Sequence, residues 1–301
     1  MSELAHMDIF SETDGVDLIR LRYSLHRINE MLKSGHFKKI PIHLAFGHEA
    51  VAVGVDRTMA LGDVLCVSHR NAAFNLVRSK SLESVLGHYR MVARQDRVAH
   101  MASMNLVDDN TGIVYASSIL GNNLAVAAGI AMHRKLVERA GIVFVATGDG
   151  ALEEGVFWET LIFARSHALG LIVVIENNDC SMSSSILERR SPVDLSLVCA
   201  GLGVNYHAAN GALLPAIKSV LSRARVNAVS GQPAVVELNI SNFCQHAGPT
   251  PGWPGDPRRI ALEDGLLFGN DPGDPLVHLH KAIGTDEFDR LADLVIRDSS
   301  H

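Results

Sequence analysis

Apolar side chains recur first at helical spacing and later in unbroken runs, and the two patterns alternate along the chain. Over residues 16–32, Leu18, Leu21, Leu25, Ile28 and Leu32 recur among Arg, His and Glu, which predicts an amphipathic opening helix. After the turn-like stretch at 34–41 come a small-residue helix over 48–59, a short apolar run of strand type over 63–68, and a further helix over 81–93. Residues 98–117 mix Met, Asp, Asn and Gly without a sustained period. Long irregular stretches inside compact domains are often functional.

From Leu120 the pattern sharpens. LGNNLAVAAGIAMHRKLVERAG (120–141) predicts a helix whose small residues, especially over 121–131, let another backbone approach closely, whether inside the domain or at a subunit contact. Residues 142–147 (IVFVAT) and 171–176 (LIVVIE) are continuous apolar strands with a helix over 153–169 between them. Runs with both faces apolar belong in sheets covered on both sides. The intervening helix places Phe157, Leu161, Ala164 and Ala168 on one stripe and stops at Gly170, as a βαβ crossover requires. A helix over 213–226 and a strand over 233–240 follow. No internal repeat or low-complexity tract occurs. The Pro- and Gly-rich stretch at 248–257 is the one obvious boundary, and an acidic helical tail runs from it to His301. The expected architecture is α/β, with a mostly parallel central sheet and helices on both faces, over residues 1–260, and a helical tail over 261–301.

Composition narrows the function classes. With 301 residues, 47% of them hydrophobic and 5% aromatic, the chain can bury a sizeable core, and it is long for one domain and short for two. Lys plus Arg at 27 against Asp plus Glu at 33 leaves a formal charge of −6, so no basic footprint for nucleic acid or an anionic membrane is expected. The four cysteines form no CxxC pair, which argues against a disulfide framework or a structural zinc site. The acidic, polar start lacks a signal-peptide pattern, and no run of about 18 apolar residues occurs. These features predict a soluble, cytoplasmic protein whose 15 histidines call for explanation.

Two polar clusters carry the chemistry. Gly148-Asp149-Gly150 follows one predicted strand directly and Asn177-Asn178 follows the next, so both emerge at the carboxyl edge of a parallel sheet, where open α/β sheets bind ligands. The glycines let backbone approach a bulky anion, and the following helix offers N-terminal NH groups to a phosphate. Asp149 and Asn178 supply hard oxygen ligands of the kind Mg²⁺ prefers when phosphates and water complete its shell. The pattern predicts a Mg-bound diphosphate. No GxGxxG follows a strand, so a dinucleotide-binding reading fails.

These clusters resemble the thiamine-diphosphate fingerprint, and from about residue 17 to 297 the chain resembles the α subunit of the E1 component of 2-oxo acid dehydrogenases. Further landmarks are GHEAVAVG (47–54), similar to the family's GQEAxxVG; His69-Arg70, where the family has Tyr-Arg; Ser103-Met104, similar to its GGSMH; residues 121–129, similar to its GAQxPLAxG; His246, similar to its RGHS; and DPLVHL (274–279), similar to its DPxxxL. The resemblance implies a thiamine-diphosphate-binding fold holding thiamine diphosphate and Mg²⁺. Asp149, the Asn178 side chain and the Cys180 backbone carbonyl would ligate the metal. Gly150 and Ala151 would touch the diphosphate by backbone, and Arg70 would pair with it as a fixed cation. His69 would contact the cofactor and Leu120 its aminopyrimidine. His43 and His246 would be the catalytic histidines near the 2-oxo acid and the reacting centre, as hydrogen-bond donors to a carboxylate or oxyanion.

The chain also departs from that pattern. Ala72 stands where the family's YRxHG has its histidine, and Asn105 replaces the histidine of its SMH. GDGALEEGVFWE (148–159) and SILGNNLAVAAG (118–129) resemble the transketolase forms GDGxLxEGxxWE and GSLGxGLxxAxG. In both families Glu154 would lie in the turn beside the diphosphate. The resemblance further implies that a glutamate from a separate pyrimidine-binding domain must activate the cofactor, and 301 residues leave no room for that domain. A β-type partner chain, an active site at the α/β contact and an α₂β₂ assembly are therefore expected. Three readings stay open: the α subunit of an enzyme that decarboxylates a 2-oxo acid and passes the acyl or aldehyde unit to a lipoyl or acyl carrier or a reductive partner; the N-terminal half of a split transketolase-like enzyme moving a two-carbon ketol unit; and a degenerate subunit that binds the cofactor without contributing substrate chemistry.

Overall fold

The structure, a computed structural model, describes residues 10–34, 42–93, 105–107, 109–249 and 258–298. All but the first residue of the predicted turn at 34–41, Ser103 and Met104, most of the boundary stretch at 248–257 and the last residues of the tail lie outside them. In chain order the elements are α1 (Glu12–Lys33), α2 (Glu49–Thr58), β1 (Val64–Val67), α3 (Ala72–Ser79), α4 (Leu82–Ala93), β2 (Ile113–Ala116), α5 (Asn122–Leu136), β3 (Val143–Gly148), α6 (Gly155–Ser166), β4 (Leu171–Asn177), α7 (Ile186–Arg189), α8 (Leu195–Leu202), β5 (Asn205–Asn210), α9 (Leu214–Val229), β6 (Ala234–Asn239), α10 (Pro275–Ile283) and α11 (Thr285–Asp298).

The strands form one six-stranded sheet in the order β2-β1-β3-β4-β6-β5, and every pairing is parallel. Side chains alternate across it. Phe144, Ala146, Ile172, Val174, Val236 and Leu238 face one apolar cluster with α1, α2, α3, α9 and the tail helices, while Val143, Val145, Leu171, Val173 and Ile175 face a second with α5, α6 and α8. Both faces of the inner strands are thus covered, and their sequences are unbroken apolar runs for that reason. Two edge strands, β2 and β5, escape the sequence pattern. β5 (NYHAAN) is polar and only part-buried, and β2 exposes Val114, so neither needs an apolar side chain at every position. Helices α3, α7 and α8 are likewise additions to the predicted set; none exceeds eight residues, too short to show a period.

The small-residue helix α5 buries Ala127, Ala128 and Ala131 inside the domain, whereas a side chain at Gly129 would meet open space. Close packing here serves the intradomain face. No helix among the described residues is long and apolar enough to cross a membrane.

A buried ionic knot ties the tail to the segment that leads into the sheet. Arg22 Nε donates to Glu49 Oε1 at 2.6 Å, Nη2 to Asp274 Oδ1 at 2.8 Å and Nη1 to the Leu266 carbonyl at 2.6 Å, with all three charged side chains fully buried. The guanidinium also lies over the Phe268 ring, 4.4 Å from its centroid. Each carboxylate holds backbone as well: Glu49 Oε2 accepts from Gly47 N, and Asp274 accepts from Leu276 N and Phe268 N, capping α10. Gly47 sits at φ +98°, where a Cβ would fall 1.9 Å from the Ser241 carbonyl, so only glycine lets these two loops meet.

Candidate active site

Strand order reverses at β1: β2 adds to one side of it, and the chain then crosses to β3 on the other. Loops leaving the carboxyl ends of β1 and β3 therefore diverge and open a crevice, the usual place for a ligand in a doubly wound sheet. A cavity lies there, lined after β1 by Ser68, His69 and Arg70, from the loop after β2 by Ser117, Ile119, Leu120 and Gly121, from the end of β3 by Gly148, Asp149 and Gly150, from the end of β4 by Glu176, Asn178, Cys180 and Ser181, and by His48 and His246.

Asp149 opens a short 3₁₀ turn directly after β3 and is almost fully buried. Its Oδ2 accepts from Arg189 Nη2 at 2.5 Å, and Arg189 Nε donates to Glu153 at 2.9 Å. Among the described residues Oδ1 accepts no hydrogen bond, so one carboxylate oxygen is fixed by a cation while the other can take a ligand. Across from it, Asn178 Oδ1 accepts from Cys180 N at 3.2 Å, a local turn that holds the amide at the cavity wall. The Cys180 thiol is pushed above its ordinary value, by burial first and by Asp149 as well. A Cβ on Gly150 would fall 2.7 Å from Ser181 Oγ, which places the two loops in contact through the missing side chain. Two oxygen donors beside a glycine cradle fit Mg²⁺ carrying a diphosphate.

Arg70 is buried, and its guanidinium reaches the backbone: Nη1 donates to the Leu44 carbonyl and Nη2 to the His246 carbonyl at 3.4 Å. It thereby pins the two segments that carry His43 and His246. Those histidines meet His69 in one cluster, with ring centroids 4.6 Å apart for His43 and His69, 4.8 Å for His43 and His246, and 5.2 Å for His69 and His246. Burial lowers all three, His43 to about 2, His69 to about 3 and His246 to about 4, with the nearby Arg70 adding to each. They are neutral imidazoles at physiological pH.

Not every predicted residue reaches the cavity wall. Leu120 does and is about half exposed there. Ala151 points into the second apolar cluster beneath the cavity, and Glu154 is exposed at the start of α6, packed beside Gly121, where a Cβ on the glycine would touch Glu154 Cβ at 3.3 Å. Ala72 belongs to the first core cluster, so the position of the family histidine is filled here by packing. Asn105 Oδ1 is buried without a hydrogen-bond partner among the described residues.

One pair went unread in the sequence. His48 Nδ1 and Glu176 Oε1 are 2.9 Å apart, both buried and both lining the cavity, while His48 Nε2 has no partner. Glu176 fixes the ring so that Nε2 is the nitrogen free for a ligand. The signal was present in GHEAVAVG, where histidine replaces the family's glutamine, but its partner lies 128 residues away.

Comparison with known proteins agrees with this geometry. The profile of the family described as dehydrogenase E1 component matches residues 22–247. The chain is 27% identical over 213 residues to the mitochondrial pyruvate dehydrogenase E1 component subunit alpha of Schizosaccharomyces pombe, covering 70% of this chain and 51% of that protein. It is 24% identical over 256 residues to the corresponding subunit of Rickettsia bellii, covering 84% and 76%. The chain thus spans about half the length of the first of these relatives. Among solved structures, a Pichia stipitis transketolase crystallised with xylulose 5-phosphate shares the fold, with a TM-score of 0.60 at 17% identity over 95% of this chain and 45% of that one. With the family profile spanning all six strands of the sheet and every loop of the cavity, the chain belongs to the dehydrogenase E1 component family.

Proposed function

We propose that this chain is the diphosphate-binding α-type subunit of a thiamine-diphosphate-dependent enzyme that decarboxylates a 2-oxo acid and hands on the acyl unit, with the active site completed by a β-type chain. The observation that carries the reading is Asp149, buried at the end of β3, held through one oxygen by Arg189 and lining a cavity whose wall Asn178 joins one crossover later.

Asp149 Oδ1, Asn178 Oδ1 and the Cys180 carbonyl would hold Mg²⁺, and Gly150 leaves room for the diphosphate it carries. When bound, thiamine diphosphate supplies the electron sink for carbanion chemistry next to a carbonyl. The protein residues do the rest. Arg70 braces the histidine segments and puts fixed positive charge beside the cavity. His43, His69 and His246, held neutral by burial, frame the place of the donor's polar end. His48 Nε2, oriented by Glu176, accepts or returns a proton at the cavity wall. Half-exposed Leu120 and exposed Ile119 form an apolar lip that a partner chain would cover.

Reconstitution with a β-type chain tests this. Release of CO₂ from pyruvate-like acids is expected, and turnover of ketose phosphates without it would instead select two-carbon transfer. Cofactor binding with neither activity would leave a subunit that only organises its partner.

A further inference from the structure

His43, His69 and His246 come from three separate segments, before α2, after β1 and after β6, and one ring nitrogen of each lies within 4.8 Å of the others. His43 is 5% exposed, and its Nδ1 is buried with no hydrogen-bond partner. Such a group is rarely left unsatisfied in a protein interior unless a ligand, ion or water meets it. The third imidazole, His69, stands where the resembled family pattern has tyrosine.

We propose that His43, His69 and His246 together bind a divalent transition-metal ion of the Zn²⁺ class, distinct from the Mg²⁺ expected at Asp149. Neutral imidazole is the ligand that Zn²⁺, Co²⁺ and Ni²⁺ select, whereas Mg²⁺ prefers carboxylate, carbonyl and water. Zn–N bonds of about 2.0–2.1 Å put tetrahedral ligand nitrogens about 3.4 Å apart, so the widest pair has to close by roughly 1.4 Å, within reach of ring rotation. Three protein ligands leave the fourth position open. It faces the cavity, because His69 and His246 line it. Arg70 opposes a second cation nearby, and an anionic fourth ligand shared between metal and guanidinium offsets that repulsion. The metal site itself rests on geometry; the identity of the fourth ligand rests on the proposed function, which makes it the carbonyl or carboxylate oxygen of the 2-oxo acid, polarised by the metal as a Lewis acid.

The test is titration of the full, untagged, chelator-stripped chain with Co²⁺, without thiamine diphosphate or Mg²⁺. Visible d–d absorption saturating at one Co²⁺ per chain is expected, abolished by Zn²⁺ and untouched by excess Mg²⁺. His43→Gln, His69→Tyr and His246→Gln should each weaken Co²⁺ binding at least tenfold while circular dichroism shows the fold retained. Asp149→Asn should leave the Co²⁺ spectrum intact. No spectrum at stoichiometric Co²⁺, a spectrum that survives His69→Tyr, or one lost in Asp149→Asn would overturn the proposal. Failure of thiamine diphosphate to bind at all would sink the proposed function and leave this result standing.

Discussion

Arg22 offers the most direct test of how the site is braced. Arg22→Met keeps the apolar stem but leaves Glu49 and Asp274, both fully buried, without their cation. Breaking a buried pair from one side costs about 3–5 kcal/mol, because an uncompensated charge remains in the interior. An unfolding entropy of about 2.1 cal/mol/K per residue gives a 301-residue chain roughly 0.63 kcal/mol/K, so the midpoint should drop by about 5–8 °C in differential scanning calorimetry. The same reasoning predicts rescue. In Arg22→Met/Glu49→Gln/Asp274→Asn, the amides carry no charge, the one at position 49 still accepts from Gly47 N, and the single amide oxygen at position 274 keeps one of the bonds from Leu276 N and Phe268 N, so part of the loss should return. A single variant within 1 °C of the parent (~0.6 kcal/mol), or a triple variant no better than the single, would refute the argument that charge burial holds the tail to the segment entering α2.

Other consequences are equally accessible. Gly150→Ala has no positive-φ strain to relieve, but its Cβ must displace Ser181 and with it the loop bearing Asn178 and Cys180; calorimetry should show thiamine diphosphate with Mg²⁺ binding at least about tenfold more weakly (~1.4 kcal/mol), with the melting midpoint nearly unchanged. His48→Ala leaves the Glu176 carboxylate buried without its partner and should cost about 1–3 kcal/mol in urea unfolding, with His48→Gln recovering part of it. His26, His43, His69 and His246 all sit below their ordinary value, chiefly through burial, so each takes up a proton on unfolding once the pH is under about 6.5 while the folded form stays neutral to about 4 for His26 and His246 and lower for the others. Stability of the metal-free chain is therefore full above pH 6.5 and falls as the pH drops toward 4, by up to about 1.4 kcal/mol per unit for each histidine; a urea midpoint that stays flat from pH 7 to 5 would contradict this.

What the sequence made legible follows from where burial is two-sided. Strands β3, β4 and β6 are covered on both faces and announce themselves as apolar runs, and the crossover helix between β3 and β4 carries its single stripe. Edge strands β2 and β5 need no such signature, since one side of each lacks a neighbouring strand. The Asp149 and Asn178 loops were readable because each follows its strand immediately. Assembly of the three imidazoles was not, because their segments are brought together only by the sheet order and by Arg70 tying the Leu44 and His246 carbonyls. The same holds for Arg22, which reads as a polar face residue of α1 until residues 266–274 close over it. Local pattern reports burial; long-range pairing of charge has no local pattern to report it.

The central claim, a Mg²⁺-diphosphate site built on Asp149, is tested most directly by calorimetric titration of thiamine diphosphate with Mg²⁺ into the chain assembled with its β-type partner, beside the same assembly carrying Asp149→Asn. Saturable, Mg²⁺-dependent binding in the parent, lost by at least about a hundredfold in Asp149→Asn (~2.7 kcal/mol), is the predicted result. Absence of binding to folded parent protein, or equal binding to the variant, would contradict it.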